Sequence, residues 1–188
     1  LSKINLVSCG TAYYASLIIA EYIRKFSKIP VEAFIASEFP AELTCSSDTL
    51  TIGISQSGET KDTLDALFDA KKFDSHISSI CNVIGSTIAR FTKNGAYLYA
   101  GSEFAVASTK VYTNMLATGL LFALSISDIN NSKRRKLIND LRKLPNLISK
   151  QLINDDGSIS KATQLIKKSK TVIFLGKGPL MSKLAQEG

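Results

Sequence analysis

LTIGISQSGETKDTL, Leu50 to Leu64, joins an apolar, β-branched run to a helix-like pattern through a turn built of hydroxyls, an amide and a glycine. The run Leu50–Ser55 predicts a strand, and the apolar spacing from Thr60 to about Lys72 predicts a helix. Between them, Ser55, Ser57 and Thr60 supply hydroxyls and Gln56 an amide, with Gly58 turning the chain. Backbone N–H groups at the start of the helix add donors in a favourable dipole. Together these groups suit an anion held without fixed positive charge, and a phosphate monoester fits best. Ser57 or Thr60 is also expected to cap the helix, with Glu59 or Asp62 favouring its first turn. Capping needs one such residue; three hydroxyls and an amide exceed that need.

The same format, strand then turn then helix, recurs outward from this stretch. Ile4–Ser8, Val31–Ala36, His76–Val83 and Ala96–Ala100 read as four further strands. Helical spacing fills Thr11–Phe26, Ala107–Ser127 and Lys133–Leu152. Such alternation predicts an α/β fold, a doubly wound, five-stranded parallel sheet flanked by helices, with the flavodoxin-like strand order 2-1-3-4-5. At the far end TVIFLGKGPLMSKLAQEG (Thr171–Gly188) repeats the pattern of INLVSCGTAYYASLIIAE (Ile4–Glu21). This predicts one domain over residues 1–155. Residues 156–188 then form a linker helix and the first strand, turn and helix start of a second, truncated copy. The chain is accordingly expected to be part of a longer polypeptide.

Composition narrows the classes. The 188 residues are 45% hydrophobic and 21% charged, enough for one well-buried core. No apolar run reaches the ~18 residues of a spanning helix; Met115–Ile126 reads as a buried core helix instead. The formal charge of +7 raises the question of nucleic acid. Its lysines and arginines gather at Ser132–Leu137, Arg142–Lys143 and Lys167–Lys170 without interleaved aromatics, which predicts solvated helix faces and no nucleic-acid partner. Cys9, Cys45 and Cys81 are too few and scattered for a disulfide framework or metal clip, read as small packing residues, and suit a reducing cytoplasm. No GxGxxG, no GxxxxGK[ST] and no metal-ligand spacing occurs, so no cofactor and no metal are expected.

Two more loops fall between predicted strands and helices, where doubly wound folds bind ligands. In Cys9-Gly10-Thr11, Gly10 permits a sharp turn and Thr11 offers a hydroxyl and a cap. In Gly101–Thr113, Ser108 and Thr109 either cap the long helix or contact a ligand, and capping is favoured on this loop alone. His76, at a strand start away from all three loops, reads as a surface histidine.

CGT (Cys9–Thr11), ASEF (Ala36–Phe39), SQSGETKDTL (Ser55–Leu64), CNVIGS (Cys81–Ser86) and AVASTK (Ala105–Lys110) follow one another in this order. From about residue 3 onward the chain resembles the isomerase half of glutamine–fructose-6-phosphate aminotransferases, the glucosamine-6-phosphate synthases. SQSGET alone would indicate only a sugar isomerase (SIS) domain; the other motifs at these spacings carry the narrower likeness. The resemblance implies a first SIS subdomain of an enzyme that converts fructose 6-phosphate and glutamine to glucosamine 6-phosphate and glutamate. It implies phosphate contacts at Ser55, Gln56, Ser57 and Thr60, and sugar contacts at Thr11, Val106 and Ser108, with Gly10 and Gly58 as supporting turns. It further implies a cytoplasmic homodimer without cofactor, nucleic acid or membrane partner, joined to a glutaminase domain and a second SIS subdomain. One departure stands out: the usual C-G-T-S reads Cys9-Gly10-Thr11-Ala12 here. The missing hydroxyl is expected to weaken phosphate binding by about 1.5–3 kcal/mol unless Tyr13, Ser16 or water replaces it.

By the same resemblance no catalytic residue lies in this chain. Gln186–Gly188 matches the family's LEG, which puts the catalytic glutamate beyond it and leaves Glu187 a neighbour only. Cys9, following a strand, does not stand in for the glutaminase nucleophile. The chain alone is therefore expected to bind sugar phosphate without turning it over. A non-catalytic SIS sensor that regulates a partner is the alternative. A stand-alone phosphosugar isomerase ranks below both, because it needs its base within these residues and no histidine or carboxylate near the loops reads in that role.

Overall fold

A computed structural model describes residues 1–104, 108–154 and 157–187. The strands are β1 (Lys3–Ser8), β2 (Val31–Ile35), β3 (Thr49–Ser55), β4 (His76–Cys81) and β5 (Gly95–Tyr97). The helices are α1 (Thr11–Phe26), α2 (Ala41–Thr44), α3 (Lys61–Lys72), α4 (Thr87–Thr92), α5 (Lys110–Ser125), α6 (Asn131–Ile153), α7 (Ser158–Lys167) and α8 (Pro179–Glu187). All five strands are parallel, in the order β2-β1-β3-β4-β5 predicted from the sequence. Leu6 pairs with both Ala33 and Ile52, and Ser55 with Cys81.

Burial on both faces explains why β1 and β3 were legible: Ile4 to Ser8 are all buried, as are Thr51 to Ser55. On one face, Ile4, Leu6, Ile52 and Ile54 pack with Ile19 and Ile23 of α1 and Met115 and Leu124 of α5. On the other, Val7 and Cys81 pack with Leu67 of α3 and Ile88 of α4. α1 and α5 lie against each other, and a Cβ on Gly119 would sit 2.2 Å from Ile19 Cγ1. That glycine lets the two backbones close up.

Because β2 and β3 flank β1 on opposite sides, the chain reverses direction across the sheet between β1 and β3. The carboxyl ends of these two strands therefore open a crevice, into which the first two loops project.

Several sequence expectations change. β4 stops at Cys81 and β5 at Tyr97, short of the predicted Val83 and Ala100. Beyond Leu98, whose N–H still donates to the Cys81 carbonyl, the backbone leaves the ladder: Tyr99 adopts φ 52°, and the Ala100 N–H bonds to the Asn82 side chain. α5 starts at Lys110, and Ala107 lies outside the described residues. α6 starts at Asn131 because the Asn130 side chain accepts from Lys133 N–H at 2.9 Å. The short α2 and α4 and a 3-10 turn at Ala36–Glu38 were not foreseen. The predicted strand at residues 171–175 is absent. Ile173 and Leu175 are 77% and 90% exposed, and this run pairs with neither edge of the sheet. A strand exists only through its ladder, so an apolar run without a partner stays irregular. The helix start beyond it is present as α8, which packs against α1.

His76 and the basic residues of α6 are largely exposed, and α6 has no buried residue. Among the described residues, no helix is long and apolar enough to cross a membrane.

Candidate functional site

The crevice forms a cleft of about 220 Å³. It is lined by Cys9, Thr11 and Ala12 from the first loop, and by Ile54, Ser55, Gln56, Ser57 and Thr60 from the second. Glu103, Ser108 and Met115 close the third side. Six of the seven candidate contact residues are thus brought together; the seventh, Val106, lies outside the described residues.

Each loop ends in a helix that points its amino end at the cleft. Gly10, at φ 55°, is the N-cap of α1, so Thr11 occupies the first helical turn and is not the cap. The expected capping of α3 by Ser57 or Thr60 does not occur. Thr60 is the N-cap residue but makes no side-chain cap bond; its hydroxyl pairs with Ser55 Oγ at 2.9 Å. Among the described residues, no side chain accepts from the first N–H groups of α3, and these donors stay available to a ligand. Thr109 likewise heads α5 without a side-chain cap bond.

The second loop is tied together from within. Ser55, only 2% exposed, accepts from Gly58 N–H at 3.0 Å while it bonds Thr60. Ser57 Oγ accepts from Glu59 N–H at 3.1 Å. From behind, the start of α4 clamps it. Ile88 N–H donates to the Gly58 carbonyl at 2.9 Å, and Thr87 N–H donates to the Glu59 carboxylate at 2.8 Å. Gly58 has φ 67°, and a Cβ there would lie 2.0 Å from Ser86 Oγ.

Hydrogen bonds from Thr87 hold the Glu59 carboxyl below its ordinary pKa, and Arg90 adds to the effect. A depressed folded-state pKa means this tie is fully formed above the unfolded-state value and is lost as pH falls through the folded one. Glu59→Gln is therefore expected to flatten the acid limb of a plot of melting temperature against pH. Identical acid slopes in both proteins would show that the tie carries no stability.

Glu103 escaped sequence reasoning, which found no carboxylate near the loops in the role of a base and assigned this one nothing. Its Oε2 accepts from Val111 N–H at 3.2 Å and lies 3.5 Å from Ser108 Oγ. It supplies the cap that Ser108 or Thr109 was expected to give α5. Glu103 is the sole charged group among the described lining residues. The departure at Ala12 also resolves locally. Ser16 is fully buried and bonded to Ser8 Oγ at 2.7 Å and the Ala12 carbonyl at 2.9 Å, so it does not replace the missing hydroxyl. Tyr13 packs its ring at a tilt against Tyr14 and does not line the cleft. Cys9, expected only to pack, does line it, with Sγ 4.0 Å from Asp62 Oδ2. Burial pushes the Cys81 thiol pKa up. Among the described residues, no group of three or more His, Cys, Asp or Glu is placed to hold a metal ion.

A doubly wound sheet with hydroxyl-bearing loops gathered at its switch point is the architecture of a sugar isomerase domain. The chain belongs to the SIS domain family, which matches residues 2–125. Within that family its likeness is to the isomerase part of glutamine–fructose-6-phosphate aminotransferases. It is 39% identical to the isomerizing enzyme of that name from Clostridium acetobutylicum over 183 residues, 95% of this chain and 30% of the relative. It is 39% identical to that of Caldanaerobacter subterraneus subsp. tengcongensis over 193 residues, 100% of this chain and 31% of the relative. Its structure superposes on the C-terminal domain of glucosamine-fructose-6-phosphate aminotransferase from Francisella tularensis with a TM-score of 0.90 at 33% identity. That match covers 99% of this chain and 54% of the other. The chain thus spans under a third of the length of the first two relatives.

Proposed function

We propose that the cleft holds fructose 6-phosphate, as the first substrate-binding subdomain of an isomerising glutamine–fructose-6-phosphate aminotransferase. The observation that carries this reading is the uncapped start of α3 beside Ser57 and the Ser55–Thr60 pair. The phosphate sits against those N–H groups, the Ser57 and Thr60 hydroxyls and the Gln56 amide. Ser55, held at the base of the loop, fixes its shape. Thr11 and Ser108 meet the sugar hydroxyls, the role the family resemblance also gives Val106, and Gly10 and Gly58 set the turns. The absence of cations from the described lining suits a ligand whose one charged end is met by dipoles.

This chain's residues bind and orient the substrate. The aldose–ketose step needs a base between C1 and C2, and Glu103 is already engaged as the cap of α5. Turnover therefore rests on groups outside these residues, in a cytoplasmic, homodimeric whole enzyme. A non-catalytic sugar-phosphate sensor would share the cleft and differ by showing no turnover in its full-length form.

Calorimetric titration with fructose 6-phosphate tests the reading. Ser57→Ala is expected to weaken binding about 10- to 100-fold, through loss of a hydrogen bond to a charged group. Equal affinities for the two proteins would remove Ser57 from the phosphate site.

A further inference from the structure

Asn82 lies one residue past the end of β4, half-buried, and lines no part of the cleft. Its side chain nevertheless spends both ends of its amide on consecutive backbone groups of the third loop. Nδ2 donates to the Gly101 carbonyl at 2.7 Å, and Oδ1 accepts from the Ala100 N–H at 2.9 Å. Its own backbone N–H donates to the Gln56 carbonyl in the second loop at 3.3 Å. One residue thus joins two loops that share no strand.

The joint falls where the third loop most needs it. β5 ends at Tyr97, and the next residues twist through positive φ at Tyr99 (52°) and Gly101 (72°). Such backbone persists only when its surroundings hold it there. Two residues past Gly101, Glu103 enters the cleft and, through Val111 N–H and Ser108, sets the start of α5.

We propose that Asn82 is a positioning residue that clips the third loop to the second. It holds Glu103 and Ser108 at a fixed distance from whatever anion the second loop has seated. The proposal rests on the phosphosugar reading of the cleft. It assigns Asn82 to recognition of the sugar end of a phosphorylated polyol, not of the phosphate. The backbone bond to Gln56 survives any change of its side chain, so phosphate and sugar affinities separate on substitution.

The experiment titrates the 188-residue chain with inorganic phosphate and with fructose 6-phosphate, in the wild type, Asn82→Ala, Glu103→Gln and the double variant. Asn82→Ala is expected to weaken fructose 6-phosphate about tenfold while phosphate stays within about twofold, the change expected when one contact to a bound hydroxyl is lost. Asn82 acts through Glu103 in this account, so the double variant is expected to bind like the worse single variant, not as the product of the two losses. Parallel loss of both ligands, unchanged fructose 6-phosphate affinity, or additive losses would each overturn the proposal. If Asn82→Ala does not fold, Asn82→Asp keeps the acceptor for Ala100 and removes the donor to Gly101. It is expected to give the same selective loss, and unaltered binding would overturn the proposal. A wild-type chain that binds neither probe would overturn the phosphosugar reading, and the clip with it. Wild-type binding with a silent Asn82 would overturn the clip alone.

Discussion

Gly58→Ala is expected to abolish measurable binding of fructose 6-phosphate and to destabilise the chain by roughly 2–4 kcal/mol. Two costs combine at this position. The backbone sits at φ 67°, where an L side chain costs about 1–2 kcal/mol. The new Cβ would also lie 2.0 Å from Ser86 Oγ and 2.5 Å from Ser86 Cβ. The hydroxyl can rotate away, but Cβ is fixed to the backbone that starts α4. The second loop must therefore move, breaking Gly58 N–H to Ser55 and Ile88 N–H to the Gly58 carbonyl. Gly157→Ala separates strain from clash: Gly157 has φ 85°, meets nothing within 4 Å and lies away from the cleft. It should cost stability of about 1 kcal/mol and leave binding intact. Titration and thermal melts on the two variants check this, and wild-type affinity in Gly58→Ala would refute the role given to the loop.

The second large effect lies behind the site. Gly119→Leu is expected to cost about 3 kcal/mol, seen as a fall in melting temperature of roughly 6–12 °C. Here the obstacle is the branched side chain of Ile19, fully buried between α1 and β1, β3. It has no solvent to rotate into, so the helices must separate. Because α1 and α5 both begin at the cleft, the wedge should also shift Thr11 and Ser108 apart and weaken fructose 6-phosphate binding. A melt within about 1 °C of wild type would show that the α1–α5 contact is softer than its geometry.

What could be read from the sequence was what repeats over several residues. β1, β3 and α1 were legible because central strands are apolar on both faces and α1 runs for 16 residues at one period. The gathering of Ser55, Gln56, Ser57, Thr60 and Thr11 follows from the fold rule that loops at a switch point converge, whereas Ser108, beyond the edge strand β5, rested on the family resemblance. α4, with six residues, is too short for any period to emerge. Its role as the clamp on Glu59 and Gly58 was hidden with it, since that contact spans 28 residues in sequence. Glu103 was hidden for a related reason: the direction of a loop side chain depends on tertiary ties such as Asn82, which no local pattern records. The cap on α3 was misjudged because Thr60 has two possible partners, and the buried Ser55 won.

That choice sets a conflict between durability and use. A helix start without its side-chain cap forgoes about 1 kcal/mol that a Ser, Asp or Asn in capping geometry would supply. Thr60 instead pairs its hydroxyl with Ser55 and leaves the amide groups of α3 bare. A sequence shaped only for endurance would close that end of the helix. This one leaves it open, and in the reading proposed for the cleft a seated anion would supply the partner that the Thr60 hydroxyl does not.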